Sequence, residues 1–239
     1  MKSIFYNELI VLQDTDYKEF NDKLIPTVDG EKTIGIRIPA LRKLAKTLWK
    51  NNREDCLLFM KQLPHTYFEE NNLHVFFIEC ETDLIKSLEA TELFLPYIDN
   101  WATCDVFSPP IFKKHKGEVL LYIKKWIKSE ECYIRRYAIG LLLSNYLDDD
   151  FEKSYLNLVA EAFSKDYYVN MMRAWYFATA LAKQPAVTLS FIIIDYKLDS
   201  WTHNKTIQKA RESRRISKKI KEQLLNYKLN DIISLKAPI

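Results

Sequence analysis

Four glycines serve a chain of 239 residues. That is too few for the closely spaced tight turns of a β-sandwich or barrel. The apolar residues recur at helical spacing more often than they alternate, so the chain reads as all-α. Proline and polar breaks separate the segments expected to be helical. These are 2–12, 16–24, a helix from Pro39 to about Lys50, 54–62, 67–80, 84–98, the segment DNWATCDVF, 112–128, 131–147, 151–163, 168–183, 186–195, 203–211 and 215–227. Pro39 suits a first helical turn, where its missing N–H is not needed.

Short helices joined by short connections are expected to stack in pairs as a solenoid. Roughly six units of about 40 residues lie in the HEAT-like range. The expected fold is an all-α, right-handed α-α superhelix, a HEAT-like repeat solenoid with a concave face. It forms one domain over 1–239, with the last few residues a tail. The tetratricopeptide signature and a crisp repeat consensus are both absent, so an irregular all-α bundle is the alternative.

Hydrophobic residues make up 48% of the chain and charged residues 28%, a globular rather than a disordered composition. No segment reaches the roughly 18 uncharged apolar residues of a membrane span. The opening MKSIFYNELIVLQDTD has no apolar core or cleavage site of a secretory signal. Cys56, Cys80, Cys104 and Cys132 form no CxxC pair. They read as free thiols of a cytoplasmic protein rather than as disulfides or a zinc site. The four histidines, His65, His74, His115 and His203, are scattered and receive no role. No metal-ligand cluster or phosphate loop is present, so no metal or cofactor is expected. Nothing in the sequence asks for an obligate dimer, and a monomer is expected.

The net charge of +3 is unevenly placed: ten Lys and Arg face three Asp and Glu from Trp201 onward, against 25 and 29 over the first 200 residues. Between Lys113 and Arg136 eight basic residues face three acidic ones. Local basic surface on a nearly neutral protein fits a polyanionic partner, or else a solvated C-terminal helix.

Three helices carry residues of chemical interest. In YYVNMMRAWYFATALAK, Met171, Ala174, Trp175, Ala178 and Ala182 form a stripe that reads as core. Phe177 falls about 100° away, on the side of Arg173, where an aromatic and a cation can meet nucleic acid or the next repeat. In CYIRRYAIGLLLSNYL, Arg136 and Gly140 lie one turn apart, and Gly140 lets a neighbouring helix or a phosphate chain approach. In DNWATCDVFSPP, Asp99 or Asn100 caps the helix, so Asp105 is not needed there. Trp101 and Asp105 stand i, i+4 on one face, an indole beside a carboxylate.

These segments together resemble the AlkD-like DNA alkylation repair family, HEAT-like repeat alkylpurine DNA glycosylases. The resemblance rests on GIRIPALRKLAK (Gly35–Lys46), NWATCDVF (Asn100–Phe107), YIRRYAIGLL (Tyr133–Leu142), MRAWYFATALAKQP (Met172–Pro185) and WTHNKTIQKARESRR (Trp201–Arg215). It implies a concave solenoid that cradles duplex DNA and excises cationic N-alkylated purines such as 3-methyladenine and 7-methylguanine. It puts the catalytic carboxylate at Asp105 and the first active-site tryptophan at Trp101. The phosphate-binding arginine falls on Arg136; beside the resemblance, Arg173 from its helix face and Arg211 and Arg214 from the basic C-terminal stretch are expected as further DNA contacts. The second active-site tryptophan falls on Phe177, the substrate-binding position, and an arginine one turn on falls on Ala180. Both are departures from the family pattern. No cofactor is implied, and the partner is duplex DNA with alkylated bases.

Three readings follow: an alkylpurine DNA glycosylase, a catalytically silent DNA-binding relative, and a protein-binding HEAT-like scaffold. Phe177 and Ala180 speak for the second.

Overall fold

In a computed structural model, residues 3–194 and 198–230 are described. Among them the chain forms fourteen α-helices, three 3₁₀ turns and no strand. It divides into two compact units at His115/Lys116.

The first unit holds α1 (Tyr6–Ile10), α2 (Thr15–Asp22), α3 (Ile38–Asn51), α4 (Arg53–Lys61), α5 (Phe68–Cys80), α6 (Leu84–Phe94) and α7 (Trp101–Val106). Its centre is α5, against which α3, α4, α6 and α7 all pack. Every residue of α5 from Phe68 to Ile78 is buried, so this helix has no solvated stripe. It starts where the Glu70 carboxylate accepts the N–H groups of Thr66 (2.9 Å) and Tyr67 (3.0 Å). Pro39 lies in the first turn of α3. The helix expected over 84–98 stops at Phe94 and tightens into a 3₁₀ turn at Leu95–Tyr97, because Pro96 has no N–H for another α-helical bond.

The entry to α3 is set by a buried carboxylate. Glu69 of α5 is wholly buried and accepts the backbone N–H groups of Ile34 (2.8 Å), Gly35 (2.7 Å) and Ile36 (3.3 Å). Burial pushes its carboxyl up from the ordinary range, against the pull of those N–H groups. Gly35 supplies the turn with φ +90. A Cβ there would lie 2.4 Å from Lys18 Cβ, so no other residue fits.

The same unit encloses a histidine pair to which the sequence assigned no role. His65 Nε2 lies 2.8 Å from His74 Nδ1. His65 stacks on Phe59 (4.3 Å between centroids) and His74 on Phe94 (4.1 Å). Burial pulls His65 down to about 4 and His74 well below its ordinary value.

The second unit holds α8 (Lys116–Trp126), α9 (Cys132–Asn145), α10 (Lys153–Glu161), α11 (Tyr167–Lys183), α12 (Pro185–Ile193), α13 (Ser200–Glu212) and α14 (Lys218–Leu225). Its centre is α11, packed by α9, α10, α12 and α13. Asp199 caps α13 and Ser217 caps α14, as short polar side chains do at helix starts. Pro185 opens α12. The expected end of that helix at residue 195 and the tail expected over the last few residues lie outside the described residues. At Gly140 a Cβ would meet only Met172 Cε, at an ordinary 3.7 Å. Close approach of a neighbouring helix therefore does not require this glycine.

Cys56 and Cys104 are buried, and Cys80 and Cys132 are partly exposed. Among the described residues no helix is long and apolar enough to cross a membrane, and no group of three metal-type side chains gathers.

Replacing Glu69 by alanine strands three buried N–H groups. It is expected to lower unfolding free energy by about 3 kcal/mol or more in urea melts. The histidine pair sets an acid limit. Its folded pKa values lie below the ordinary 6.5, so the unfolded chain binds protons first as pH falls. The pair's contribution to stability is expected to be complete above about pH 6.5 and to be lost toward pH 4. Urea midpoints across that interval check this, and His65→Gln should flatten the decline.

Candidate functional site

Trp101 and Asp105 occupy the six-residue α7, too short to hold itself by helix propagation alone. Asn100, wholly buried, caps it. Its Oδ1 accepts from Thr103 N (2.8 Å), while its Nδ2 donates to Asp99 Oδ1 (2.7 Å) and Thr103 Oγ1 (3.1 Å). Asn100 is therefore the cap, and Asp105 is not one. Thr103, Cys104 and Phe107 point inward, while Asp105 is exposed and Trp101 half-buried. The Trp101 indole N–H donates to the Leu24 carbonyl at 3.1 Å, which ties the ring to the end of the α2 region.

The exit of α7 is held by an ion pair that the sequence reading did not single out. Arg42 of α3 pairs with Glu79 of α5, and its second nitrogen donates to the Val106 carbonyl at 2.7 Å. The guanidinium lies 4.2 Å from the Phe76 ring centroid. The other Glu79 oxygen accepts the Ser108 N–H at 2.8 Å. Burial raises the Glu79 carboxyl, partly offset by the Ser108 N–H and by Arg42. One partly buried pair thus fixes a carbonyl and an N–H immediately beyond Asp105. Arg42 lies within GIRIPALRKLAK, but nothing local in the sequence marks its partner 37 residues on.

In the second unit the expected site residues separate into buried and exposed sets. Arg211 and Arg214 are exposed. Arg136 is 2% exposed, donates to the Tyr168 carbonyl at 2.6 Å and lies 5.7 Å from the Trp175 ring centroid. Arg173 is 1% exposed and donates to the carbonyls of Val159 (3.0 Å) and Ala160 (2.6 Å). It also reaches Asn170 Oδ1 (2.8 Å), Asp199 Oδ2 (2.7 Å) and Thr202 Oγ1 (3.0 Å). The Thr202 N–H and the Arg173 guanidinium together hold the Asp199 carboxyl below its ordinary value against the opposing effect of burial. Arg173 is a joint between α10, α11 and the start of α13, not an outward DNA contact.

The face reading of α11 holds at Ala174 and Ala178, which are buried, and fails at Trp175 and Phe177. Phe177, expected on a ligand-facing side, is fully buried, stacked on Phe191 (5.8 Å between centroids, planes at 13°) and edge-on to Tyr176 (5.4 Å). Ala180 is fully buried as well. Trp175, expected in the core, is half-buried. It lines an open depression with Thr179, Ala182, Lys209, Ser213 and Arg215, and Lys209 Nζ lies 5.9 Å from its ring centroid. The stripe argument assumes one apolar face against one solvated face. Helix α11 is packed by four others, so it has no single core face: Ala174, Ala178 and Phe177 are buried alike, while Trp175 between them is half-buried.

Each unit thus carries a distinct chemistry. On the first, an exposed carboxylate stands one turn from an indole on a short helix pinned at both ends. On the second, an indole reaches the surface among cationic side chains, an arrangement suited to phosphate and to flat or cationic groups.

A family model described as DNA alkylation repair enzyme matches residues 6–216, spanning most of both units. No curated protein matches the chain.

The placements separate stability from surface chemistry. Arg173→Ala breaks a buried ion pair and is expected to destabilise by about 3–5 kcal/mol. Phe177→Ala is expected to cost a similar amount through the cavity it leaves. Trp175→Ala should shift the thermal midpoint far less than either. Denaturation of the three variants side by side checks the order.

Proposed function

This chain belongs to the DNA alkylation repair enzyme family, and from that premise we propose that it is a DNA glycosylase. In this reading it hydrolyses the N-glycosidic bond of cationic N-alkylated purines, such as 3-methyladenine and 7-methylguanine, in duplex DNA. The observation that carries the reading is the exposed Asp105 beside Trp101, on a helix whose two ends are anchored.

Alkylation at N3 or N7 makes the purine a positively charged leaving group. As the bond to the sugar breaks, the base takes the bonding electrons and becomes neutral. Positive charge then develops on the sugar. A carboxylate already held in place stabilises that charge without reorganising, and it can accept a proton from the attacking water. The Trp101 face contributes a cation–π attraction of about 0.5–2 kcal/mol to a positive group.

On the second unit, Trp175 rather than the buried Phe177 offers DNA an aromatic surface. Lys209 and Arg215 beside it, with Arg211 and Arg214, supply the phosphate contacts. The buried Arg136 adds positive charge next to the Trp175 ring. The pairwise helix packing within each unit supports reading these helices as HEAT-like repeats, which belongs to the same proposal. The silent-relative reading drew on Phe177 and Ala180. Both are core positions, so neither reports on the ligand-facing surface.

Release of methylated bases from alkylated duplex DNA tests the proposal. Asp105→Asn is expected to reduce release on the order of a hundredfold or more, with duplex affinity maintained. Trp175→Ala should weaken duplex binding by roughly fivefold or more. A wild-type protein that binds alkylated duplex and releases no base would overturn the glycosylase reading.

A further inference from the structure

Helix α3 presents two opposite faces. Leu41, Ala45 and Leu48 are buried. On the other side Lys43, Lys46 and Lys50 are exposed, and with Pro39, Arg42 and Thr47 they line an open depression. The three lysines are spaced i, i+3, i+7, which brings like charges onto one stripe, an arrangement that destabilises a helix on its own. Among the described residues none of the three has a carboxylate within ion-pair distance. Lys46 does influence Glu79 electrostatically, but that carboxylate is paired with Arg42 and only 8% exposed. No acidic residue lines the depression.

We infer that this face of α3 is a nucleic-acid phosphate site, made by Lys43, Lys46 and Lys50 with the exposed edge of Arg42. The inference rests on the DNA-binding part of the proposed function and adds to it a contact surface on the first unit. The length fits. Lys43 to Lys50 spans about 10 Å of helix axis, and one strand of duplex DNA places a phosphate about every 3.4 Å along its axis. The stripe therefore matches about three phosphates. The site is also mechanically joined to the carboxylate, because the Arg42 that borders it donates to the Val106 carbonyl next to Asp105. Phosphates bound here anchor the duplex beside the segment that carries Asp105.

The test is the salt dependence of binding to an undamaged duplex. The full-length wild type is compared with the Lys43→Gln/Lys46→Gln/Lys50→Gln triple variant and with the corresponding Lys→Arg triple. Each phosphate contact contributes about 0.9 to the slope of log K against log salt. The glutamine triple is expected to lower the slope by between about two and three and to weaken binding at least tenfold at low salt. The arginine triple should keep the wild-type slope. All three lysines are exposed, so thermal midpoints should agree across the set. A glutamine triple with the wild-type slope overturns this inference and leaves the glycosylase reading standing. Failure of base release by a protein that still binds duplex overturns that reading and leaves the slope comparison intact. A wild type that binds no duplex overturns both. If the triple loses binding to polyaspartate but not to duplex DNA, the surface belongs to an acidic protein partner, and the phosphate site is overturned.

Discussion

The Arg42–Glu79 pair is the constraint on which the first unit's chemistry depends. Its two ends come from α3 and α5, and between them they hold Val106 and Ser108, the backbone on either side of Phe107. A six-residue helix has few internal hydrogen bonds, so its geometry comes from what grips its ends. Asn100 and the Trp101–Leu24 bond grip one end, and the ion pair grips the other. In the proposed glycosylase reading, a carboxylate that stabilises transient positive charge gains most when it is fixed beforehand. The scaffold around α7 supplies that fixity while leaving Asp105 itself at the surface.

The second unit uses a buried charge in the same way. Arg173 ties the ends of α10 to α11 and to the cap of α13 through five hydrogen bonds. An unpaired guanidinium at this depth would be strongly unfavourable. Its partners are two backbone carbonyls, an asparagine, a threonine and the capping aspartate. Glu69 does the equivalent work at the entry to α3, with three N–H groups in place of ionic partners. Buried charge in this protein is thus chiefly architectural, and the cations and carboxylate suited to meeting a ligand lie outside it.

Much of the helical frame could be read from residue order. The expected segments match the observed helices in number and order, with ends displaced by up to four residues, and Pro39 and the Asn100 cap were legible as local signals. The faces of α11 were not. Burial on four sides erases the single polar stripe on which a periodicity argument depends, so Trp175 and Phe177 exchanged places. Arg173 misled in a related way: an arginine normally signals surface, and only its five acceptors, drawn from 159–202, make burial tolerable.

The sequence by itself determined the helical class, the order of the helices, the family and the pairing of Trp101 with Asp105 one turn apart. Each of these follows from contacts between residues near in sequence or from a pattern summed along the chain. Only the tertiary structure decided that Arg42 and Glu79 brace the exit of α7, that Trp175 reaches a ligand-accessible surface and that Phe177 fills the core. It also showed that the three α3 lysines share a depression without acidic lining. Those outcomes depend on which helices enclose which faces and on acceptors tens of residues away. Local spacing carries no record of either.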